Sequence, residues 1–422
     1  MFISLRELQL LIWLQSQLNA KSGGPRVRST TDKDKCKCRT ILSCCHSVAG
    51  VPSQESLDCR SVRCFLYWEN MKIEWAPLKV PPRRRLQTLV TFLITFTCFM
   101  LSITAIPIIL ASLLYGGLIL RSLVLIYLIY VFVDHKRNNS VIDGNGWLLN
   151  RSNRLYRHYR NYFPVELVKT AELPPNKNYI LASFPHGILG NGIGINMGLD
   201  ISRWLELFPK IRPKVGTLDQ NFLIPIGREV LRSWGLVSVS KAALNYLLTK
   251  SNDPKHADNR DGFTSNAVAI LVGGAQEAMD SHPGQYIVTL RNRKGFVKMA
   301  IRTGSPIVPT FSFGEVDIFD QVPNPPNSLV RRVQTVVKQL TGISPLIPVG
   351  RGIFNYSFGF LPNRRRIVQV VGAPINVVQS DQPDAAYVDK VHGQVIEALE
   401  KMFEKYKKKY IPNPKNTKLV IH

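Results

Sequence analysis

An apolar stretch constrains this chain more than any other feature. Between Leu86 and Leu120 there is no Asp, Glu, Lys, Arg or His, and after Arg121 the apolar run resumes from Ser122 to Val133. About 20 apolar residues cross a bilayer, so 86–133, with a single charge, supplies two short spans or a re-entrant hairpin. A helix pair in a soluble core is the alternative, but such helices keep a polar face and this stretch has almost none. The chain is therefore read as a membrane protein.

Both flanks are basic: Lys79, Arg83, Arg84 and Arg85 precede the stretch, and His135, Lys136 and Arg137 follow it. Positive flanks stay cytosolic, so both ends are expected on one side and the chemistry on the cytosolic face. Pro107 and Tyr115-Gly116-Gly117 are the expected turn points, because Pro interrupts the helical ladder and Gly tolerates unusual dihedrals. A turn near Gly116 lets Arg121 reach the interface, whereas an Arg in mid-span costs about 2.5–3.5 kcal/mol.

The net charge of +25 needs an acidic counterpart. Residues 1–70 hold 10 Lys+Arg and 6 Asp+Glu, leaving 44 and 23 for residues 71–422, so the excess is not a basic tail. No helix-turn-helix, zinc-finger spacing or aromatic-basic strand motif is present, and nucleic acid is excluded as a partner. Anionic membrane surfaces and phosphorylated small molecules remain.

All seven cysteines, Cys36, Cys38, Cys44, Cys45, Cys59, Cys64 and Cys98, lie in the first 98 residues. The body after Cys98 fits a reducing compartment and stands on packing alone. The leader spacings match no structural zinc pattern, so no metal is expected. A signal peptide at 10–18 is weakly supported, being interrupted by Gln15, Ser16 and Gln17. Composition shifts at Met71, which divides the chain into a poorly ordered leader (1–70), a basic collar with the hydrophobic hairpin (71–140) and a cytosolic body (141–422).

The body alternates apolar runs with amphipathic segments. Strands are expected at 179–184, 236–240, 267–272, 307–311 and 366–371, and helices at 222–234, 241–248, 293–302 and 388–408. That alternation implies an α/β layered fold, whose ligands sit at the carboxyl ends of strands. Two such junctions carry chemistry. In the first, a strand ends at Phe184 and Pro185-His186-Gly187 forms the turn. His186 there can take a proton from a hydroxyl while Gly187 amides or Asn191 stabilise an oxyanion, or it is satisfied by local hydrogen bonds. In the second, Val272 runs into Gly273-Gly-Ala-Gln-Glu277. Glu277 orients His186 or the nucleophilic hydroxyl, or pairs with the basic segment that follows. In that segment Arg291, Arg293, Lys294, Lys298 and Arg302 are candidates for holding a multiply phosphorylated ligand, with Arg364, Arg365 and Arg366 as a second cluster; a solvated helix face or lipid-headgroup contact is the plain alternative. There is no Gly-x-Ser-x-Gly elbow and no Walker loop, and Gly190-Asn-Gly-Ile-Gly194 is too irregular for a dinucleotide turn.

These blocks resemble the type-2 diacylglycerol acyltransferases, a family that includes monoacylglycerol and wax-alcohol acyltransferases. The resemblance runs from Met71 to about Ile411, through Tyr162-Phe163-Pro164, Pro185-His186-Gly187, Gly273–Glu277, 291–300, 309–315, 350–359 and 371–375. It implies a layered glycerolipid-acyltransferase-like mixed sheet flanked by helices, with an N-terminal hydrophobic membrane hairpin. It also implies an endoplasmic-reticulum enzyme that moves a fatty acyl group from acyl-CoA to diacylglycerol, making triacylglycerol for lipid droplets. The family's His-Pro-His-Gly motif maps onto Phe184-Pro185-His186-Gly187, with the general base at His186 and Phe184 in place of the first His. More distant glycerolipid acyltransferases carry an Asp where this chain has Asn191, which makes Glu277 the candidate orienting carboxylate.

Acyl transfer from a thioester needs a base, oxyanion donors and a grip on the coenzyme, so no cofactor is expected beyond acyl-CoA as co-substrate. A monoacylglycerol or long-chain alcohol acceptor and, from another class, a non-catalytic lipid-binding or droplet-tethering protein are the alternatives. Homo-oligomerisation is left open. Because the family pattern begins at Met71, an alternative start there is expected.

Overall fold

A computed structural model describes residues 73–77, 79–138, 144, 154–199, 203–259 and 261–422. The readings of the leader, its six cysteines and the boundary at 70/71 lie outside the described residues. The chain divides into two units. One comprises Ile73–Val322 and Gln334–His422; the other comprises Met1–Lys72 and Pro323–Val333, of which 323–333 is described and holds the start of one helix.

In chain order the helices are α1 (Pro82–Tyr115), α2 (Leu118–Asn138), α3 (Leu155–Tyr162), α4 (Gly227–Ser233), α5 (Lys241–Leu248), α6 (Gly274–Met279), α7 (Gly295–Thr303), α8 (Leu329–Thr341) and α9 (Ala385–Tyr410). The strands are β1 (Glu166–Lys169), β2 (Tyr179–Phe184), β3 (Ile211–Thr217), β4 (Leu236–Ser238), β5 (Ser265–Leu271), β6 (Tyr286–Val288), β7 (Ile307–Phe313), β8 (Asp320–Gln321), β9 (Pro348–Val349), β10 (Val368–Val371) and β11 (Leu419–Ile421). The main sheet has the order β1-β10-β7-β2-β5-β3-β4. Strands β7, β2, β5, β3 and β4 run parallel, while β10 is antiparallel to β7 and carries β1 alongside it, so the sheet is mixed as expected.

Every residue of β2 and β7 is buried, because helices or loops cover both faces of these central strands. Ile180, Ala182 and Phe184 share one core with Phe311, Phe313 and apolar residues of α5, α7 and α9. Tyr179 and Leu181 face the opposite core with Ala269, Val308, Met197 and Trp204. Helix α9 supplies Val388, Val391, Val395, Leu399 and Met402 at three- and four-residue spacing. Asp384 caps its N-terminus by accepting from the Tyr387 amide.

One expectation changes, and one inner strand was not expected. The segment 222–234 is not one helix: a 3₁₀ turn at Asp219–Leu223 is followed by α4 from Gly227, since Pro225 cannot donate into the ladder and Ile226 takes φ 65. Strand β3 was hidden by Arg212, Pro213 and Lys214, yet it lies inside the sheet between β5 and β4.

The apolar stretch forms two helices joined at Gly116-Gly117, where the turn was expected. Leu118–Arg137 is long and apolar enough to cross a membrane. The two limbs of α1, Pro82–Met100 and Thr104–Tyr115, meet the same test together, bent by 60°. The bend lies one turn before Pro107, whose ring excludes the carbonyl four residues back. Arg121 donates to the Leu114 carbonyl at 2.8 Å, so it closes the last turn of α1 at the hairpin's tip. At the other end of α2, Asp134 pairs with the fully buried Arg228 and with Arg232 at 2.7 Å, tying α2 to α4. The first half of α1 packs Val90, Ile94 and Phe99 against Tyr156, Tyr159 and Tyr162 of α3.

Candidate active site

The parallel register aligns the carboxyl ends of three neighbouring strands. Ser183 of β2 stands beside Leu271 of β5 and Thr310 of β7. The segments leaving these strands therefore meet at one edge: Pro185-His186-Gly187 after β2, Gly273–Glu277 after β5 and Gly314-Glu315 after β7.

At this edge the His186 loop is held between two buried carboxylates, Glu277 and Glu315, each 1% exposed. Glu277 accepts from the His186 backbone N–H through Oε1 and from the Thr289 N–H, 2.9 Å away, through Oε2. Glu315 accepts from the Asn191 N–H through Oε1 and from the Gly192 N–H through Oε2, both at 2.7 Å. These are charge-assisted bonds to backbone donors that would otherwise be orphaned at the start of the turn beginning at Asn191. Two glycines make room for them. A Cβ on Gly273 would lie 1.9 Å from Glu277 Oε2, and one on Gly187, already at φ +61, would lie 2.8 Å from Glu315 Cγ. Burial raises both carboxyls from 4.5 to about 7, against the lowering effect of the amides that bond them.

His186 is half-buried. Its Nδ1 lies 3.1 Å from the Gly187 carbonyl, which can only accept, so in the neutral ring Nδ1 carries the proton and Nε2 keeps a free lone pair. Burial lowers its pKa below the usual 6.5, with the Gly187 carbonyl acting in the opposite sense. A neutral imidazole with its lone pair on Nε2 can remove a proton from a hydroxyl.

The structure brings Glu277 to His186, but onto the backbone amide and not the ring, so it fixes the loop rather than the tautomer. Asn191 has its N–H bonded to Glu315 and its Oδ1 accepting from the Tyr159 hydroxyl, while its Nδ2 is buried with no hydrogen-bond partner among the described residues. The Gly187 N–H makes no hydrogen bond to another described residue, so each member of that pair keeps an unused donor. Phe184, the last residue of β2, is fully buried in the core facing α7 and α9.

The five basic candidates separate along α7. Arg293 lies near enough to Glu277 to lower its pKa, and Arg291, exposed, bonds the Ile421 carbonyl through Nε at 3.0 Å. Lys294 pairs with Asp389 at 2.6 Å. Lys298 is exposed one turn further along α7. Arg302 precedes β7, whereas His186 follows its parallel neighbour β2, so the two lie at opposite edges of the sheet, about 15 Å or more apart. In the second cluster Arg364 bonds Gln87 at 2.6 Å and Arg366 pairs with Glu166, while Arg365 is exposed.

Glu315 and Tyr159 are the residues that sequence reasoning missed. The available signal for Glu315 was a carboxylate directly after a glycine at a strand's end, akin to Glu277, which stands three residues past the Gly273-Gly274 turn. Tyr159 offered no such signal, because its partner depends on how α3 docks. Among the described residues no cluster of His, Cys, Asp and Glu could hold a metal ion.

Comparison with known proteins was then informative. Residues 113–422 match the diacylglycerol acyltransferase family profile. Diacylglycerol O-acyltransferase 2 of Dictyostelium discoideum is 38% identical over 79% of this chain and 96% of its own length. The 2-acylglycerol O-acyltransferase 1 of Bos taurus is 36% identical over 83% of this chain and 100% of its own. The human diacylglycerol O-acyltransferase 2-like protein 6 is 42% identical over 63% of this chain and 76% of its own. No solved structure matches.

Proposed function

Because the chain belongs to the diacylglycerol acyltransferase family, whose common chemistry is acyl transfer to a glycerolipid, we propose that it transfers a fatty acyl group from acyl-CoA to diacylglycerol, forming triacylglycerol. His186 Nε2 takes the proton of the acceptor hydroxyl as its oxygen attacks the thioester carbonyl. The Gly187 N–H stabilises the oxyanion of the tetrahedral intermediate, and the C–S bond then breaks. The imidazolium returns its proton to the departing thiolate, so atoms and protons balance. Arg291 and Arg293 meet the coenzyme's phosphates in this reading, which the lowering of the Glu277 pKa by Arg293 supports.

The observation that carries this reading is the buried loop presenting Nε2 of a neutral His186, held by the backbone bonds to Glu277 and Glu315. Catalysis in this account is positioning plus one proton transfer, and it calls on no cofactor. The hairpin α1–α2 anchors the enzyme in the endoplasmic-reticulum membrane with the catalytic sheet on the cytosolic face, where acyl-CoA is available and where product can pass to a droplet.

The match to the Bos taurus 2-acylglycerol O-acyltransferase 1 along its whole length supports one second reading, acylation of a monoacylglycerol. Membranes containing the full chain are given labelled oleoyl-CoA with dioleoylglycerol, 2-oleoylglycerol or hexadecanol, and products are separated by thin-layer chromatography. Triacylglycerol as the main product is expected. A larger yield from another acceptor replaces the assignment, and no incorporation into any of the three would favour a non-catalytic lipid-binding protein.

A further inference from the structure

Two arginines meet at one tyrosine where the chain enters α1, and a third stands in the helix's first turn. Arg364 lies with its guanidinium carbon 4.2 Å from the Tyr162 ring centroid, and Arg351 stands 5.8 Å from the same ring and 5.0 Å from that of Tyr356. Tyr162 is fully buried and its hydroxyl donates to the Pro362 carbonyl at 2.6 Å, which fixes the ring between the two cations. Arg364 Nη1 donates to Gln87 Oε1 at 2.6 Å, and Arg351 Nη2 reaches Thr88 Oγ1 at 3.4 Å; both partners sit in the second turn of α1. Arg84, exposed in the first turn, stands three and four residues before Gln87 and Thr88 and so shares their side of α1; burial, and with it Arg351 and Arg84, holds Arg364 below the ordinary guanidinium value.

Like charges in a partly desolvated place repel, and ordinarily a carboxylate relieves them. Here none does: among the described residues Arg84, Arg351 and Arg364 have no ion pair, and the groups facing them are the two tyrosines, Gln87 and Thr88. Arg351 Nε is buried without a hydrogen-bond partner. The N-terminal end of a 34-residue helix adds positive potential at the same spot. Planar guanidiniums with unused donors, two of them against one tyrosine ring and beside a helix terminus, match the three acceptor oxygens of a phosphate better than any neutral ligand.

We propose that Arg84, Arg351 and Arg364, gathered around Tyr162 at the start of α1, bind one phosphate group, carried either by a phospholipid head or by a coenzyme. The position favours the headgroup, since the apolar part of α1 begins at Leu86, immediately beyond the cluster. The cluster uses none of the groups that hold the His186 loop, and its role does not depend on which acceptor the enzyme uses.

The full wild-type chain in neutral detergent is treated with phenylglyoxal, and modification of each arginine is followed by mass spectrometry. The treatment is run alone, with dihexanoyl-phosphatidic acid, and with desulfo-coenzyme A. Protection of Arg351 and Arg364 with Arg302 unaffected is expected. Protection by the phosphatidic acid alone identifies the headgroup, by desulfo-coenzyme A alone the coenzyme, and by both a shared phosphate subsite. Protection by neither at saturating concentration, or equal protection of Arg302, overturns the proposal. As a second measurement, Arg364→Gln should weaken the protecting probe about tenfold or more, as loss of one charged hydrogen bond implies.

Discussion

Replacing Glu315 by Gln keeps the side chain's shape and removes its charge, which makes it a clean perturbation of the His186 loop. The carboxylate accepts from two buried amides, of Asn191 and Gly192, at 2.7 Å each. A carboxamide offers one oxygen and turns an NH₂ toward the second amide, which leaves that donor unsatisfied at about 1–3 kcal/mol. A second effect has the opposite sign. In the fold this carboxyl is raised from 4.5 to about 7, so between those values the folded chain keeps a proton that the unfolded chain has released. Wild-type stability is then fully retained below about pH 4.5, falls as pH rises toward 7, and is level above it. The shift corresponds to about 3 kcal/mol per carboxyl. Glu315→Gln removes that dependence, so its deficit should shrink by about 3 kcal/mol between pH 5 and pH 8. Apparent melting temperatures of the full chain in detergent at pH 5, 6, 7 and 8, at one scan rate, read this directly as a gap of several degrees that closes. Glu315→Ala, which orphans both amides, should cost about 2–6 kcal/mol and lower the turnover number. Melting curves of wild type and Glu315→Gln that stay parallel across the series would refute the reasoning.

Glu277→Gln should lower the turnover number with little change in KM for acyl-CoA, because its bonds go to the His186 and Thr289 amides and not to a ligand; a changed KM alone would contradict that role. Gly273→Ala places a Cβ 1.9 Å from Glu277 Oε2 and should reduce activity at least as far as Glu277→Gln, measured in the same assay. The rate should fall on the acid side through a pKa below 6.5, since burial lowers that of His186 and only the neutral ring is a base; an acid limb centred above 6.5 would argue for a different group. Phe184→Ala should destabilise by about 3–5 kcal/mol in thermal unfolding, as a fully buried core ring, whereas a near-neutral effect would remove it from the core.

Elements with a local cause were legible in the sequence. Strand β2 and helix α5 lie where apolar period and flanking turn residues put them, and the hairpin turns at Gly116-Gly117. Strand β3 was not legible, because Arg212, Pro213 and Lys214 interrupt its apolar pattern, and it is a strand by its place between β5 and β4. Within the site, Glu277 was legible as a carboxylate at a strand's end, but its choice of the His186 backbone over the ring depends on a contact spanning 91 positions. Glu315 acts across 124 positions, and only the β2–β7 pairing brings it near Asn191. The basic run from Arg291 to Arg302 looked continuous in sequence, and the helix carries its two ends to opposite edges of the sheet.

The central claim is that Nε2 of His186 removes the acceptor's proton. Purified wild type and His186→Ala, matched for melting temperature and reconstituted in the same lipid, are assayed with labelled oleoyl-CoA and dioleoylglycerol. The account predicts a loss of triacylglycerol synthesis of about 10²- to 10⁴-fold in the variant. Retention of most of the wild-type rate would contradict it.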